Sequence, residues 1–563
     1  MPLILNLDFM ISTNLIDLFK ESFVKYWDYD MYSDYGRKGV KKYRDVAKEI
    51  ALLHTYFQEL GIERGDRIAV IGRNSTHWAM SYLATITYGA VVVPILADFK
   101  AQDVHHVINH SDTVVLFSDE AIWDGLDEAQ VEKVKAVISL QSFDVLVSRQ
   151  SLDVEGLRSQ FEKCYPTYTP QDLNFTAVPN EELMVLNYTS GTTGFSKGVM
   201  IPANSLAGNI TYALDRIPID EGARLVSFLP LAHTYGCAFD FLLPVAKGIH
   251  VTFITRMPAP KILISAFQEI QPQIILSVPM IIEKIFKKQI MPLFKKRSMR
   301  IMMNIPFVNE KIAAKIRERL LKSFGGNINE IILGGAGIGK DAEDFLRKIK
   351  FPFTVGYGMT ECGPLISYEN ASKFRPYSCG RILEGIMELK IDSPKPYEVP
   401  GEILVRGENV MYGYYKNEEA TKEAIDEEGW LHTGDMGVSD EDGFIYIKGR
   451  CKSMLLSSNG QNIYPEEIEA KLNNMPFVAE SLVIQDESDD RKLLVALIVP
   501  DVEEMDMKGV KEEELSSLMD ENILELNKIV ASYEKISRYK IYPQEFEKTP
   551  KKSIKRYLYK ADF

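Results

Sequence analysis

The chain has 563 residues, of which 46% are hydrophobic and 26% charged, and this ordinary globular composition excludes a disordered or fibrous protein. Asp and Glu outnumber Lys and Arg by 79 to 65, so the net charge of −14 excludes a general nucleic-acid-binding function. The five cysteines form no C-x-x-C pair, which excludes a disulfide framework and a thiolate zinc site.

The N-terminus and the apolar runs indicate where the protein acts. Asp8 interrupts the first apolar stretch and the first basic residue is Lys20, so we expect no secretory signal. The longest apolar runs fall short of the ~18 to 20 residues that a membrane span needs. We therefore expect a cytoplasmic protein.

Strand and helix patterns alternate through the first four hundred residues. Residues 45–60 have helical spacing, residues 66–71 a buried-strand pattern, and a second helix leads to the apolar run 91–93. The alternation returns at residues 273–333. It predicts the α/β class, with a largely parallel sheet covered by helices.

From residue 401 onward the pattern changes to short strands and tight turns, with a hairpin signal at Asp442-Gly443. A smaller unit follows, with helices at 465–473 and 510–530 and strands at 481–484 and 493–499. We predict an N-terminal domain of residues 1–450, with layered α/β subdomains plus a β-rich subdomain. Residues 451–563 are predicted to form a small, mobile α+β lid.

The strongest chemical signal is the segment Tyr-Thr-Ser-Gly-Thr-Thr-Gly-Phe-Ser-Lys-Gly-Val at residues 188–199, which follows an apolar strand. Its backbone N–H groups and hydroxyls can face an anion, and Lys197 adds a point charge. The segment predicts a phosphate-binding loop, although its spacing is not that of the usual P-loop.

A second glycine-rich run, residues 334–341, reads as a P-loop except that Asp341 replaces the Ser or Thr that would bind Mg²⁺. A carboxylate there would repel phosphate, so we do not expect an independent nucleotide site. Three histidines, His105, His106 and His110, share a predicted amphipathic helix. Without a nearby carboxylate or cysteine to complete a metal site, we expect a solvated face.

The phosphate loop and five further motifs resemble, in order, the signature set of the acyl-adenylate-forming (AMP-binding) superfamily. The five are LPLAH at 229–233, YGMTE at 357–361, GEILVRG at 401–407, WLHTGD at 430–435 and GR at 449–450. The chain is similar, more narrowly, to long-chain fatty acyl-coenzyme A synthetases. The resemblance covers nearly the whole chain.

The resemblance implies a two-step reaction, in which a carboxylate and ATP give an acyl-adenylate and pyrophosphate, and the thiol of coenzyme A then displaces AMP. It implies ATP, Mg²⁺ and coenzyme A as cofactor and co-substrates. The catalytic residues implied are Lys197, His233, Thr360, Glu361 and Lys552, with Glu361 also binding the metal. The residues implied to bind ATP or AMP are Thr189, Ser190, Gly191, Thr192, Thr193, Gly194, Gly334, Gly335, Ala336, Tyr357, Gly358, Asp435 and Arg450.

Two positions of the lid depart from the family pattern. Lys452 fits the hinge and Gly460 the passage of the pantetheine arm, but Ser453 stands where an Asp is usual. More seriously, the catalytic lysine column falls on Ser553. Lys552 is the expected replacement, with Lys551 and Lys555 as fallbacks, and a basic tail without chemistry stays open.

Residues 284–322 contain 12 Lys or Arg against two Glu. An extended segment here is similar to the long-chain members of the family. Such a stretch either forms solvated basic helices or contacts an anionic membrane surface peripherally, at the inner face of a membrane.

The sequence thus predicts an acid-thiol ligase that activates a medium- to long-chain fatty acid and transfers it to coenzyme A. Two alternatives stay open. One is acyl transfer to the phosphopantetheine of a carrier protein, and the other is a degenerate protein that binds acyl-adenylate without turnover. Oligomeric state and pathway are not encoded in these patterns.

Overall fold

The computed structural model describes residues 11–189, 197–289, 308–457, 461–486, 492–548 and 554–561. Two large sheets and two small ones form the N-terminal part. A separate small sheet with its own helices forms the C-terminal part. This arrangement confirms the predicted α/β class, with a larger N-terminal and a smaller C-terminal portion.

The first large sheet has eight strands. In spatial order they are Gly413–Tyr414, Lys197–Pro202, Leu183–Thr189, Val91–Ile95, Arg67–Ile71, Thr113–Ser118, Ala136–Ser139 and Val145–Ser148. The five central strands, Leu183–Thr189 through Ala136–Ser139, are parallel, and the outer pairings are antiparallel. The parallel centre agrees with the strand and helix alternation in the sequence.

The second large sheet has seven strands. In spatial order they are Phe353–Val355, Glu330–Leu333, Ile274–Ser277, Arg224–Ser227, His250–Phe253, Asp30–Asp34 and Lys41–Lys42. All neighbours are parallel except the last pair. One continuous apolar core joins this sheet to the first one.

Helices cover both large sheets. They are Leu15–Lys25, Tyr43–Glu59, Thr76–Tyr88, Ala101–His110, Glu120–Trp123, Val154–Cys164, Ala203–Arg216, Leu243–Lys247, Pro260–Ile270, Pro279–Gln289, Val308–Ser323, Lys340–Lys348 and Glu418–Ala424. A π-helical segment spans Gly236–Leu242. Thr76–Tyr88 illustrates the local rules, because Ser75 caps its first turn and Gly89 ends it in the left-handed conformation.

Along the chain, the two small N-terminal sheets follow the last strand of the second large sheet. One contains Tyr357–Gly358, Leu365–Tyr368 and Arg381–Ile382, and the other contains Met387–Asp392, Gly401–Gly407, Leu431–Ser439 and Ile445–Arg450. Both are antiparallel throughout. The hairpin predicted at Asp442-Gly443 is confirmed.

The C-terminal part packs the strands Val478–Gln485, Leu494–Pro500 and Ile536–Ile541 against the helices Pro465–Leu472, Val502–Lys508 and Glu512–Ile529. A two-stranded ribbon, Leu455–Leu456 with Asn462–Ile463, precedes them. This part has its own apolar core. Short 3₁₀ turns lie at Glu128–Gln130, Pro170–Asp172, Thr360–Cys362, Cys451–Ser453, Ser532–Glu534 and Arg556–Leu558. The domain boundary at residue 450 stays a prediction.

Two findings concern the surface of the protein. Within the described residues, no helix is long and apolar enough to cross a membrane. The expected solvated histidine face is wrong for His105, which is buried and whose Nε2 accepts a hydrogen bond from the N–H of Asp127 at 3.0 Å. Helical spacing alone cannot show that a loop folds back over that face.

Candidate active site

The predicted phosphate-binding segment begins and ends on two paired strands. Thr189 closes the strand Leu183–Thr189, Lys197 opens the antiparallel strand Lys197–Pro202, and the two residues are direct partners in the register. The remaining predicted loop residues, Ser190, Gly191, Thr192, Thr193 and Gly194, lie outside the described residues.

The side chain of Tyr414 contacts both Lys197, the predicted phosphate-binding cation, and Glu361, the predicted metal-binding carboxylate. The Lys197 Nζ lies 4.7 Å from the centroid of the Tyr414 ring. The Tyr414 hydroxyl donates a hydrogen bond to Glu361 Oε1 at 2.9 Å. Burial, and secondarily the charge of Glu361, raise the pKa of Tyr414, so its hydroxyl stays a donor.

Two buried asparagines hold the turn that carries Thr360 and Glu361. Asn209 donates to the carbonyl of Cys362 at 2.9 Å and accepts from the N–H of Leu365 at 2.8 Å. Asn409 donates to the same Cys362 carbonyl at 3.1 Å. Since these amides satisfy backbone groups that the short 3₁₀ turn leaves open, the turn has a defined position.

Asp435 and Arg450, predicted to bind the ribose region, form a second cluster with Tyr357, which is predicted to flank the adenine; we call it the ribose cluster. The Tyr357 hydroxyl donates to Asp435 Oδ2 at 2.7 Å, and Arg450 Nε lies 2.8 Å from Asp435 Oδ1. Asp435 and Arg450 are cross-strand partners. Burial raises the pKa of Asp435, although the Arg450 charge and the Tyr357 hydrogen bond oppose that shift.

The glycine-rich run packs against the segment that carries His233. A Cβ atom added at Gly334 would lie 3.1 Å from the ring of Tyr235, whose hydroxyl donates to the carbonyl of Ile332 at 3.0 Å. Gly335 has a φ of +81°, in the left-handed region. A side chain at Gly334 would thus crowd the Tyr235 ring, and the backbone conformation of Gly335 favours glycine; Ala336 follows them.

The same run ends at a helix whose N-terminus already faces a carboxylate. The N–H of Gly339 donates to Glu283 Oε1 at 2.8 Å. A phosphate at this helix N-terminus would meet the negative charge of Glu283. The geometry agrees with the sequence argument against a separate nucleotide site at residues 334–341.

His233 is half-buried and lies just before the π-helical segment Gly236–Leu242. Its N–H donates to the carbonyl of Pro230, and its own carbonyl accepts from the N–H of Cys237 at 2.8 Å. Asn187, two residues before Thr189, donates to the carbonyl of Ala232 at 2.9 Å. This bond fixes the His233 segment relative to the phosphate strand.

Sequence reasoning missed Tyr414, the two clamping asparagines, Asn187 and Tyr235. Asn187, Tyr235 and Asn409 each lie within two residues of a motif named above, whereas Asn209 and Tyr414 do not. All of these residues act through contacts between segments far apart in the chain, for example 153 positions between Asn209 and Cys362. A single sequence contains no signal for such pairings.

The AMP-binding enzyme family matches residues 21–415, and the C-terminal domain of AMP-binding enzymes matches residues 452–563. The chain belongs to the AMP-binding enzyme family. The family resemblance of the sequence motifs is thereby confirmed.

Curated relatives of this AMP-binding enzyme are long-chain-fatty-acid–CoA ligases. ACSBG2 of Rattus norvegicus is 26% identical over 519 residues, which is 85% of this chain and 76% of the relative. FadD15 of Mycobacterium tuberculosis is 27% identical over 561 residues, which is 91% of this chain and 89% of the relative.

Solved structures share the fold of this AMP-binding enzyme. ATP-bound MatB from Rhodopseudomonas palustris has a TM-score of 0.76 at 21% identity and covers 97% of this chain and 98% of its own. O-succinylbenzoate coenzyme A synthetase from Bacillus subtilis, in complex with ATP and magnesium, has a TM-score of 0.72 at 20% identity. The match covers 96% of this chain and 98% of the synthetase chain. At these identities the likeness shows the fold.

The predicted lid of this AMP-binding enzyme follows directly on the ribose cluster. Lys452 lies in the turn Cys451–Ser453, two residues beyond the exposed Arg450. In the tail, Lys548 and Ile554 form a bridge, and Lys555 Nζ lies 2.6 Å from Glu547. Gly460 and Lys552 lie outside the described residues.

The donor set of this AMP-binding enzyme fits a magnesium ion that travels with ATP. Across the described ranges, no group of three or more His, Cys, Asp or Glu side chains could hold a metal. Mg²⁺ in nucleotide enzymes is commonly bound by one or two carboxylates, substrate phosphates and water. Glu361 is the residue predicted to provide such a carboxylate.

Proposed function

We propose that this AMP-binding enzyme is a fatty acyl-coenzyme A synthetase that activates medium- to long-chain fatty acids. The observation that carries the proposal is the pair of clusters at one site, Lys197 with Tyr414 and Glu361, and Tyr357 with Asp435 and Arg450. The first suits the phosphates of ATP and the second its ribose. The names of the relatives support the acyl substrate.

In the first step, a carboxylate oxygen of the fatty acid forms a bond to the α-phosphorus of ATP, and the bond to the pyrophosphate oxygen breaks. Lys197 and Thr189 stabilise the charge on the departing pyrophosphate. Mg²⁺ bound at Glu361 would neutralise phosphate charge. His233 and Thr360 orient the carboxylate and the α-phosphate.

In the second step, the thiol sulfur of coenzyme A forms a bond to the acyl carbon, the bond to AMP breaks, and the thiol proton leaves to solvent. Rotation of the lid at Lys452 would exchange the face that contributes Lys552 for the face that contributes Gly460. Because acyl-adenylate is reactive toward water, the site must be closed in both steps.

Isotope exchange between pyrophosphate and ATP tests the first step. We expect exchange that depends on fatty acids of about 8 to 18 carbons and on Mg²⁺, and that is much weaker with acetate, malonate or benzoate. An absence of exchange with every carboxylic acid, while ATP still binds, would favour a degenerate acyl-adenylate-binding protein.

The acceptor is tested separately by supplying synthetic acyl-adenylate together with coenzyme A or a phosphopantetheinylated carrier protein. We expect acyl-coenzyme A as the product. Faster transfer to the carrier protein than to free coenzyme A would show that the carrier protein is the acceptor.

A peripheral membrane contact is part of the proposal. In the described half of the basic segment, the helix Val308–Ser323 buries Ala313, Ile316 and Leu320 and exposes basic side chains at 311, 315, 319 and 322. Sedimentation with vesicles that contain about 30% anionic lipid, compared with neutral vesicles, tests it. We expect binding only to the anionic vesicles, and we expect salt to weaken that binding. Equal recovery of the protein in the pellets of anionic and neutral vesicles would contradict the membrane contact.

A further inference from the structure

One histidine that the reaction does not use touches the strand that ends in the phosphate site. His110 is the last residue of the helix Ala101–His110, and its Nδ1 lies 2.7 Å from the hydroxyl of Tyr188. Tyr188 is buried and directly precedes Thr189. The contact therefore fixes the strand one residue before the predicted phosphate ligand.

The same histidine touches the segment that supports Lys197. The rings of His110 and Tyr415 meet edge to face, with centroids 5.8 Å apart, and Lys416 Nζ donates to the His110 carbonyl at 3.0 Å. Tyr415 is the neighbour of Tyr414, the residue between Lys197 and Glu361. The end of one helix thus contacts both chain segments that border the phosphate site.

We propose that His110 is a positioning residue that holds Tyr188, and through it Thr189 and Lys197, in the arrangement that binds the β- and γ-phosphates of ATP. The inference rests on the proposed function of this site. His110 is assigned no contact with the nucleotide, and it acts through the Tyr188 hydroxyl.

The environment of His110 fixes the direction of its hydrogen bond. Burial is the main cause that lowers the pKa of His110, so the ring is neutral at pH 7 and Nδ1 accepts the Tyr188 hydroxyl proton. Burial raises the pKa of Tyr188, which keeps it a donor. Protonation of His110 removes this acceptor.

Charged and titratable groups face His110 from each element packed around it. They are His106 and Asp112 from its own helix and the turn after it, Tyr188 from the phosphate strand, Tyr415 and Lys416 from the segment beyond residue 413, and Arg67 and Lys133, which reach Tyr415 and Asp112. His106 and Lys416 lower the pKa of His110, and Asp112 raises it. Acid should therefore weaken the Tyr188 contact.

Binding of ATP and of AMP to the full-length protein tests the proposal, because only ATP carries the β- and γ-phosphates. We expect His110→Leu and Tyr188→Phe each to weaken ATP binding about fivefold, the scale of one positioned hydrogen bond, and to leave AMP binding within about twofold. The double variant should lose no more than either single variant, since both remove one contact. Equal weakening for ATP and AMP, or additive losses, would overturn the proposal.

His110→Gln keeps an acceptor oxygen without titrating, so it should restore ATP affinity at pH 7.5. Because the pKa of His110 is lowered from its ordinary value, the wild type should lose ATP affinity relative to this variant only at a pH below the range in which a free histidine titrates. Identical pH profiles for the two proteins would contradict the role, even if His110→Leu fails to fold.

His250→Leu is the matched control, because His250 is also half-buried, with its Nε2 3.0 Å from the Ser33 hydroxyl, but lies in the second large sheet. It should leave the ratio of ATP to AMP affinity unchanged. Since these measurements need no fatty acid, they stay informative if the proposed acyl activity fails.

Discussion

The hydroxyl of Tyr414 donates a hydrogen bond to Glu361 across 53 positions of sequence, while its ring lies under the amine of Lys197. One side chain thus contacts both the cation predicted to bind phosphate and the carboxylate predicted to bind Mg²⁺. This contact depends on a two-residue strand, Gly413–Tyr414, that pairs with the strand of Lys197.

We predict that Tyr414→Phe raises the Mg²⁺ concentration needed for half-maximal adenylation about threefold to tenfold, because Glu361 loses the bond that orients it. Magnesium titration of pyrophosphate exchange measures this. Tyr412→Phe is the control, because Tyr412 is half-exposed and donates to the carbonyl of Glu181. An unchanged Mg²⁺ dependence in Tyr414→Phe would remove Glu361 as the metal ligand.

Lys197→Ala should slow adenylation by about 2 to 4 kcal/mol of transition-state free energy, since a charge on the pyrophosphate path is lost. Thioester formation from supplied acyl-adenylate involves no pyrophosphate and should persist. The two half reactions are measured separately, with Lys395→Ala, an exposed lysine paired with Glu398, as the control. Equal loss in both half reactions of a folded protein would contradict the assignment of Lys197 to the pyrophosphate.

Asp435→Asn should weaken AMP binding at least tenfold without lowering the free energy of unfolding at pH 7.5. The pKa of Asp435 is raised, chiefly by burial, so the folded state holds the proton more tightly than the unfolded chain does. Its favourable contribution to stability is thus present at low pH and lost as pH rises through the folded-state pKa. The pair with the exposed Arg450 contributes little to stability.

Calorimetric titration with AMP and thermal unfolding at pH 5 and 7.5 check both parts. The wild type should gain stability relative to Asp435→Asn as the pH falls. If the variant instead binds AMP like the wild type, Asp435 does not hold the ribose.

The sequence predicted elements better than it predicted contacts between them. The strand Glu330–Leu333 and the helix Glu512–Ile529 lie where apolar spacing placed them, because periodicity reports one buried face of a local element. The family motifs singled out Glu361 and Asp435 as candidate site residues. The contacts of these carboxylates with Tyr414 and Tyr357 depend on how sheets pack, which periodicity does not encode.

His110 shows the same limit at a residue that the sequence did bring to attention. Its helical spacing indicated an amphipathic helix correctly, and the helix is Ala101–His110. The expectation of a solvated face failed because Tyr188 and Tyr415 arrive from segments 78 and about 300 positions away. Only the assembled sheet places them there.

Lys452→Pro should separate the two half reactions. Proline fixes φ, so a rotation about this residue would be blocked and one arrangement of the lid trapped. One half reaction should survive and the other should fall at least tenfold, whereas Lys452→Ala should retain both. Wild-type rates for the complete reaction in Lys452→Pro would count against a hinge at this position.

The last prediction concerns the lysine that takes the place of the usual one at Ser553. Adenylation brings a carboxylate and a phosphate, both anionic, into bonding distance in a partly desolvated site, so a cation must lie beside them. Around residues 549–553, which the structure does not describe, Lys548 pairs with Glu480 and Lys555 with Glu547. The Glu547 contact raises the pKa of Lys555 and holds its charge in the tail, which weakens Lys555 as a candidate.

We therefore expect Lys552→Ala to lower adenylation at least tenfold, about 1.4 kcal/mol, and to leave thioester formation from added acyl-adenylate near normal. Lys551→Ala and Lys555→Ala should be milder, and they serve as the matched controls. Wild-type exchange in all three single variants and in the triple variant would show that the tail supplies no catalytic cation. The positive charge beside the α-phosphate would then have to come from the N-terminal domain, where Arg450 is the exposed cation at the ribose cluster.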